Sequence, residues 1–125
     1  MGNEYLSNIP IYIQIMDELK LKIISGVWEP GQRLSSVREL AVEFSVNPNT
    51  MQRALSELER EGLLYTERTS GRFVSSDKKE IDRARDELGG EYTDNYFISM
   101  EKLGYTTNEI EQLLEKRLKE RKDNK

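Results

Sequence analysis

Between Leu34 and Thr50 the chain carries the start of one short helix, its stop, and the start of a second, with almost no residues to spare. Ser36-Val37-Arg38-Glu39 has the form of a capping box. The Ser36 hydroxyl can accept from the Glu39 amide, and the Glu39 carboxylate can reach back to the Ser36 amide. Val37, Leu40, Ala41 and Phe44 then share one apolar face, which predicts a helix from about Ser36 to Phe44. A turn at Ser45-Val46 follows. Asn47 is placed to cap a second helix whose first residue, Pro48, has no N–H to leave unpaired. Two short helices joined by a tight turn are the outline of a helix-turn-helix, which makes the chain a candidate reader of DNA.

The flanking segments complete a domain. Pro10 opens a helix with Ile11, Ile15, Leu19 and Ile23 at four-residue spacing and Tyr12, Met16 and Ile24 beside them. Its predicted end is Ser25-Gly26. Trp28-Glu29-Pro30-Gly31 reads as a turn with Trp28 as a packing anchor, and Gln32-Arg33-Leu34 as no more than a small strand. The helix opened by Pro48 is expected to reach Glu61. Met51, Ala54, Leu55 and Leu58 form its inward stripe, and Asn49, Thr50, Gln52, Arg53 and Ser56 stay outside. Gly62 ends it. Leu63-Leu64-Tyr65 and Arg72-Phe73-Val74 are β-prone, and the polar run Thr66 to Gly71 between them predicts a hairpin with a flexible tip. The expected fold is mainly α: a winged helix-turn-helix of three helices plus a β-hairpin.

Beyond the hairpin, Ser75-Ser76-Asp77-Lys78-Lys79 is a polar joint, so residues 1–76 are read as the winged domain and 77–125 as a helical tail. Ile81, Ala84 and Leu88 have helical spacing, as do Tyr92, Tyr96 and Leu103, with Phe97 and Met100 on a neighbouring stripe. Gly89-Gly90 interrupts this segment, each glycine costing about 1 kcal/mol against alanine, which leaves both a break and a continuous helix open. Gly104 closes this helix. Thr106-x-x-Glu109 is a second capping box, followed by Ile110, Leu113, Leu114, Arg117 and Leu118. Lys119 to Lys125 contain no apolar side chain and are expected to fray. Two helices alone cannot bury both their apolar faces. The expected cover is a second copy, forming an isologous homodimer through Leu88, Tyr92, Tyr96, Phe97, Met100, Leu103, Ile110, Leu113 and Leu114. A small-molecule effector cavity among the aromatics is the competing reading, and no further feature of the sequence supports it.

Composition excludes several functions. With no cysteine and no histidine there are no disulfides, no thiolate chemistry and no imidazole ligands or proton shuttles. No glycine loop has the spacing of a nucleotide fingerprint. Neither an enzyme, nor a cofactor, nor a metal site is expected. Met1 to Asn8 lacks the apolar core of a signal peptide, and no run approaches the roughly 18 apolar residues of a membrane span. A soluble cytoplasmic protein is expected.

The net charge of −4 and the pI near 5.0 oppose DNA binding at first sight, because phosphate contacts supply much of the affinity. In the motif region Arg33, Arg38, Arg53, Arg60, Arg68 and Arg72 are nearly cancelled by Glu39, Glu43, Glu57, Glu59, Glu61 and Glu67. Position must then do what total charge does not, and weak non-specific binding is expected. A winged-helix adaptor that binds a protein instead of DNA is the alternative this charge favours.

Five blocks in order carry a resemblance: Pro10-Ile11-Tyr12-x-Gln14-Ile15, Ile24-Ser25-Gly26-x-Trp28-x-Pro30-Gly31, Leu34-x-Ser36-Val37-Arg38-Glu39-Leu40-Ala41, Val46-Asn47-Pro48-Asn49-Thr50 and Leu58-Glu59-x-Glu61-Gly62-Leu63-Leu64. Together the chain resembles the GntR family of bacterial transcription regulators. Asn47-Pro48-Asn49-Thr50 and the short tail with Leu103-Gly104-Tyr105 resemble its YtrA-like branch. The resemblance implies a dimer that binds double-stranded, palindromic operator DNA, most simply as a repressor, with a reduced two-helix dimerisation tail. Carried over by position, it implies a groove-edge contact for Arg38, and base contacts for Asn49, Thr50, Gln52 and Arg53, since amides suit adenine edges and arginine suits guanine. It places Arg68, Gly71 and Arg72 on the wing, with Ser36, Arg33 and Asn47 as weaker candidates. Competing readings are an Arg38 pair with Glu39 or Glu43, a solvated helix face for Gln52 and Arg53, an N-cap for Asn47, an acid partner for Arg33, and plain loop charge for Arg68 and Arg72. Two departures stand out. Ser35 occupies a position where the family often has proline, and Arg68-Thr69-Ser70-Gly71 keeps only the second of two usual wing glycines.

Overall fold

Helices α1 (Ile11–Ile24), α2 (Val37–Glu43) and α3 (Pro48–Arg60) are followed by strands β1 (Leu64–Glu67) and β2 (Gly71–Val74) and helices α4 (Lys78–Lys102) and α5 (Thr107–Asp123) in a computed structural model that describes residues 5–124. The expectations for Met1–Asn8 and for Lys125 lie in part outside the described residues. Two compact units form, Met1–Arg85 and Asp86–Lys125.

In the first unit, local chemistry sets the helix ends. The Glu39 amide donates to Ser36 Oγ at 3.1 Å, and the Ser36 amide donates to Glu39 Oε1 at 2.9 Å, so the capping box is closed on both sides. Asn47 Oδ1 accepts from the Asn49 amide at 2.7 Å, with Pro48 as the first residue of α3. Between them α2 ends in a paired set of bonds. Ser45 N–H donates to Val42 O at 3.1 Å, and Val46 N–H to Ala41 O at 2.9 Å. This is a Schellman motif, and it needs a left-handed residue at its turn. Ser45 takes that place with φ 57°, where glycine is usual. α3 ends with the same motif around Gly62, at φ 84°, with bonds from Gly62 to Glu59 O and from Leu63 to Leu58 O.

α3 is the central element, packed against α1, α2 and β1. Its Met51, Ala54, Leu55 and Leu58 are buried against Ile15, Leu19 and Ile23 of α1, with Leu40, Ala41, Phe44, Leu63, Leu64 and Val74 closing the cluster. Each large apolar side chain so removed from water contributes about 1.5–3 kcal/mol. Ile11 does not join them and is 45% exposed. A four-residue step overshoots the helical turn by about 40°, so a stripe at that spacing walks off the buried face. Ile81, in the first turn of α4, does join the core, with Ala84 packed against it.

The hairpin is longer than the sequence suggests. Antiparallel pairing runs from Leu64↔Val74 through Thr66↔Arg72 to Glu67↔Gly71, which reduces the tip to Arg68-Thr69-Ser70. Ser70 N–H donates to Glu67 O at 3.2 Å and closes the turn, and Gly71, at φ 116°, opens β2 opposite Glu67. Residues 31–34 lie along the other edge of β2, with Leu34 N–H donating to Arg72 O and Val74 N–H to Gln32 O, each at 2.9 Å.

In the second unit α4 continues through Gly89-Gly90 without a break. Glycine raises the cost of a helix, but unlike proline it removes no donor and makes no clash. α4 closes at Gly104 with a third Schellman pair, Gly104 to Glu101 O and Tyr105 to Met100 O. Thr106 and Glu109 form the second capping box. α5 then runs to Asp123 rather than fraying from Lys119, with Arg121 and Lys122 facing the carbonyl end of the helix dipole. Met100 and Ile110 are buried. Leu88, Tyr96, Leu113 and Leu114 are half-buried. Tyr92, Phe97 and Leu103 are exposed. α4 and α5 meet over little of their length. No helix among the described residues is long and apolar enough to cross a membrane.

Candidate nucleic-acid interface

The reading face is built by the buried face behind it. With Met51, Ala54, Leu55 and Leu58 locked into the core, Asn49, Gln52 and Arg53 must face solvent, and Thr50 is half-exposed. Asn49 donates its backbone amide to the Asn47 cap, and its side chain makes no hydrogen bond among the described residues. Gln52 Nε2 donates to Ser56 Oγ at 2.9 Å, one turn on. The Arg53 guanidinium carbon lies 3.8 Å from the centre of the Tyr12 ring of α1. Asn47 and Ser36 are both engaged as caps.

Arg38 stands on the first turn of α2, exposed, and pairs with neither Glu39 nor Glu43. The Glu39 carboxylate is turned to the Ser36 amide, which, with the Ser36 hydroxyl, holds its pKa below the ordinary value. On the hairpin, Arg68 sits at the exposed tip, whereas Arg72 is tied back. Its Nε donates to Glu59 Oε1 at 3.2 Å, and Thr66 Oγ1 donates to the same oxygen at 2.8 Å. Arg33 bridges to Phe73 of β2, and its side chain reaches Gly71 beside the tip of the wing. A Cβ at Gly71 would come within 3.2 Å of Arg33 Nε, so the glycine makes room for this side chain. Arg33, Ser36, Glu39, Thr66 and Gly71 line an open groove between the segment before α2 and the hairpin.

Pairing resolves the charge balance that the totals leave flat. Glu57 is matched by Arg60, Glu59 by Arg72 and Glu61 by Lys20. All three acids lie toward the C-terminal end of α3 or just past it. Among the described residues Arg33, Arg38, Arg53 and Arg68 have no carboxylate partner. The four stand at the groove, the α2 start, the α3 start and the wing tip, the elements that meet DNA in winged helix-turn-helix proteins.

Two structural roles were not visible in the sequence. Gln14 clamps the segment before α1: its Oε1 accepts from Leu6 N–H at 2.7 Å, and its Nε2 donates to Leu6 O and Ile9 O, each at 2.8 Å. Glu59 joins α3 to the hairpin through Thr66 and Arg72. Both pairings span loops, beyond the reach of periodicity.

Comparison with known proteins agrees with this geometry. Residues 11–74 match the family described as bacterial regulatory proteins, gntR family. A solved GntR family transcriptional regulator from Listeria monocytogenes is 37% identical, with a TM-score of 0.81 over 90% of this chain and 98% of that one. The HTH-type transcriptional repressor YtrA of Bacillus subtilis is 45% identical over 73 residues, 58% of this chain and 56% of that protein. A crystal structure of AraR(DBD) in complex with operator ORR3 is 32% identical, with a TM-score of 0.52, covering 60% of this chain and 88% of that one. The protein is a mainly helical winged helix-turn-helix, and the chain belongs to the gntR family of bacterial regulatory proteins.

Proposed function

We propose that this protein is a sequence-specific DNA-binding repressor of the YtrA-like kind, acting as a cytoplasmic homodimer on a palindromic operator. The observation that carries the reading is the division of α3: one face is fully buried, and its opposite, N-terminal face presents Asn49, Thr50, Gln52 and Arg53. In this reading α3 enters the major groove, with Asn49 and Gln52 suited to adenine edges and Arg53 to guanine. Arg38, Arg33 and Arg68 hold phosphates on either side and fix the register of the reading helix. AraR(DBD), which shares the fold, was solved on an operator.

The dimer reading rests on the second unit. Tyr92, Phe97 and Leu103 leave large apolar surface in water, and α4 and α5 do little to cover one another. A two-fold mate would bury this surface and set two copies of α3 one DNA turn apart or a multiple of it. The test is a gel shift on the region upstream of the protein's own gene. A two-fold-symmetric site retarded by two protomers is expected. Failure to retard any such site at low salt, with capture of a protein partner in the presence of nuclease, would favour the adaptor.

A further inference from the structure

The geometry points to Tyr12 as a positioning residue for sequence discrimination: its ring orients the Arg53 guanidinium for the base that Arg53 reads. The inference rests on the functional reading above and goes beyond it, because Tyr12 lies on α1, outside the helix-turn-helix.

Arg53 projects from the second turn of α3, and its guanidinium carbon lies 3.8 Å from the centre of the Tyr12 ring. That is stacking distance. Among the described residues Arg53 has no carboxylate partner and no side-chain hydrogen bond, so the ring is what holds its head group. The two kinds of contact use different parts of the group. Stacking occupies a face of the planar guanidinium, whereas its N–H donors point outward in the plane. The ring contact uses none of the N–H donors that would meet guanine O6 and N7, and among the described residues no hydrogen bond occupies them. An unsupported arginine would lose the freedom of its long side chain on binding, whereas a stacked one has lost part of it already.

The scaffold supports the ring in turn. Tyr12 is half-buried on α1, which packs against α3, and its neighbour Ile15 is fully buried. Ile11, Tyr12, Asn49, Thr50 and Arg53 line one open cleft, so the ring borders the reading face as well as Arg53. A lysine at position 53 would keep the charge but lose both the flat face and the fork.

The test uses the full-length protein and its footprinted operator duplex. Three further duplexes carry the other base pairs at the position where Arg53→Ala ceases to discriminate. The parent prefers one base pair there. Tyr12→Phe keeps the ring and is expected to keep the preference. Tyr12→Leu is expected to lower it about three- to tenfold while leaving discrimination at the other positions unchanged, and to add little in an Arg53→Ala background. The Arg53 side-chain proton resonances of the free protein give a second readout. Ring-current shifts present in the parent and in Tyr12→Phe should vanish in Tyr12→Leu. Tyr12→Leu that discriminates as well as the parent, or better, overturns the inference alone. So does an equal loss of affinity for every duplex, the signature of a merely structural residue, and so does loss of preference in Tyr12→Phe. A parent that binds no duplex overturns the functional reading and this inference with it.

Discussion

Arg72 Nε donates to Glu59 Oε1 across 3.2 Å, joining the second strand of the wing to the back of the reading helix. The arginine side chain is 18% exposed and the glutamate 35%. Its charge is therefore spent inside the protein, and Arg68 is left as the unpaired cation of the hairpin. Arg72→Ala should cost about 1 kcal/mol in urea denaturation, the upper end for a partly exposed pair. It should leave the salt dependence of DNA binding nearly unchanged. Arg68→Ala should do the opposite, with no loss of stability and a shallower salt slope.

Ser45 holds the turn between α2 and α3 at φ 57°. A left-handed backbone costs a residue with a Cβ about 1–2 kcal/mol, part of which glycine returns as entropy in the unfolded chain. Ser45→Gly should raise stability by roughly 0.5–1 kcal/mol, and Ser45→Val should lower it by at least as much. The denaturation midpoints of the three proteins measure both effects.

The Glu39 carboxylate is held below its ordinary pKa by the Ser36 amide and then by the Ser36 hydroxyl. The unfolded chain then binds this proton more readily than the folded one. The capping box adds stability that is fully present above the unfolded pKa and is lost as pH falls through the lowered folded value. Ser36→Ala should cost about 1 kcal/mol at neutral pH. In Glu39→Gln, which removes the titrating carboxylate itself, the acid limb of stability against pH should flatten. An unchanged acid limb would show that the box does not titrate with folding.

What the sequence made legible was local. Ser36-x-x-Glu39, Asn47-Pro48 and Thr106-x-x-Glu109 mark helix starts within one turn, and all three caps form. The stripe Met51, Ala54, Leu55 and Leu58 marks the buried face of α3 for the same reason. Periodicity alone could not place a partner far along the chain. Glu59 meets Arg72 thirteen residues on, Arg53 meets Tyr12 on another helix, and Ile81 leaves its own apolar stripe for the winged core. The hairpin runs past its apolar residues into Thr66, Glu67 and Gly71, which are polar or small. Their strand conformation comes from backbone pairing, not from apolar character.

Gly89 and Gly90 sit inside an unbroken helix, and a Cβ built at either meets nothing within 4 Å. Replacing each by alanine should stabilise the protein by about 1 kcal/mol per site, read from thermal or urea unfolding. Destabilisation instead, together with a shift toward monomer, would place a second copy against these two positions.

Footprinting on the DNA upstream of the protein's own gene tests the central claim most directly. Protection of a two-fold-symmetric site is predicted, with half-sites one helical turn or a multiple apart. Arg53→Ala should abolish the preference for that site over a scrambled one, while Arg38→Ala should weaken both alike. Equal binding of the site and its scrambled form by the parent, or no protection at low salt, would contradict the account.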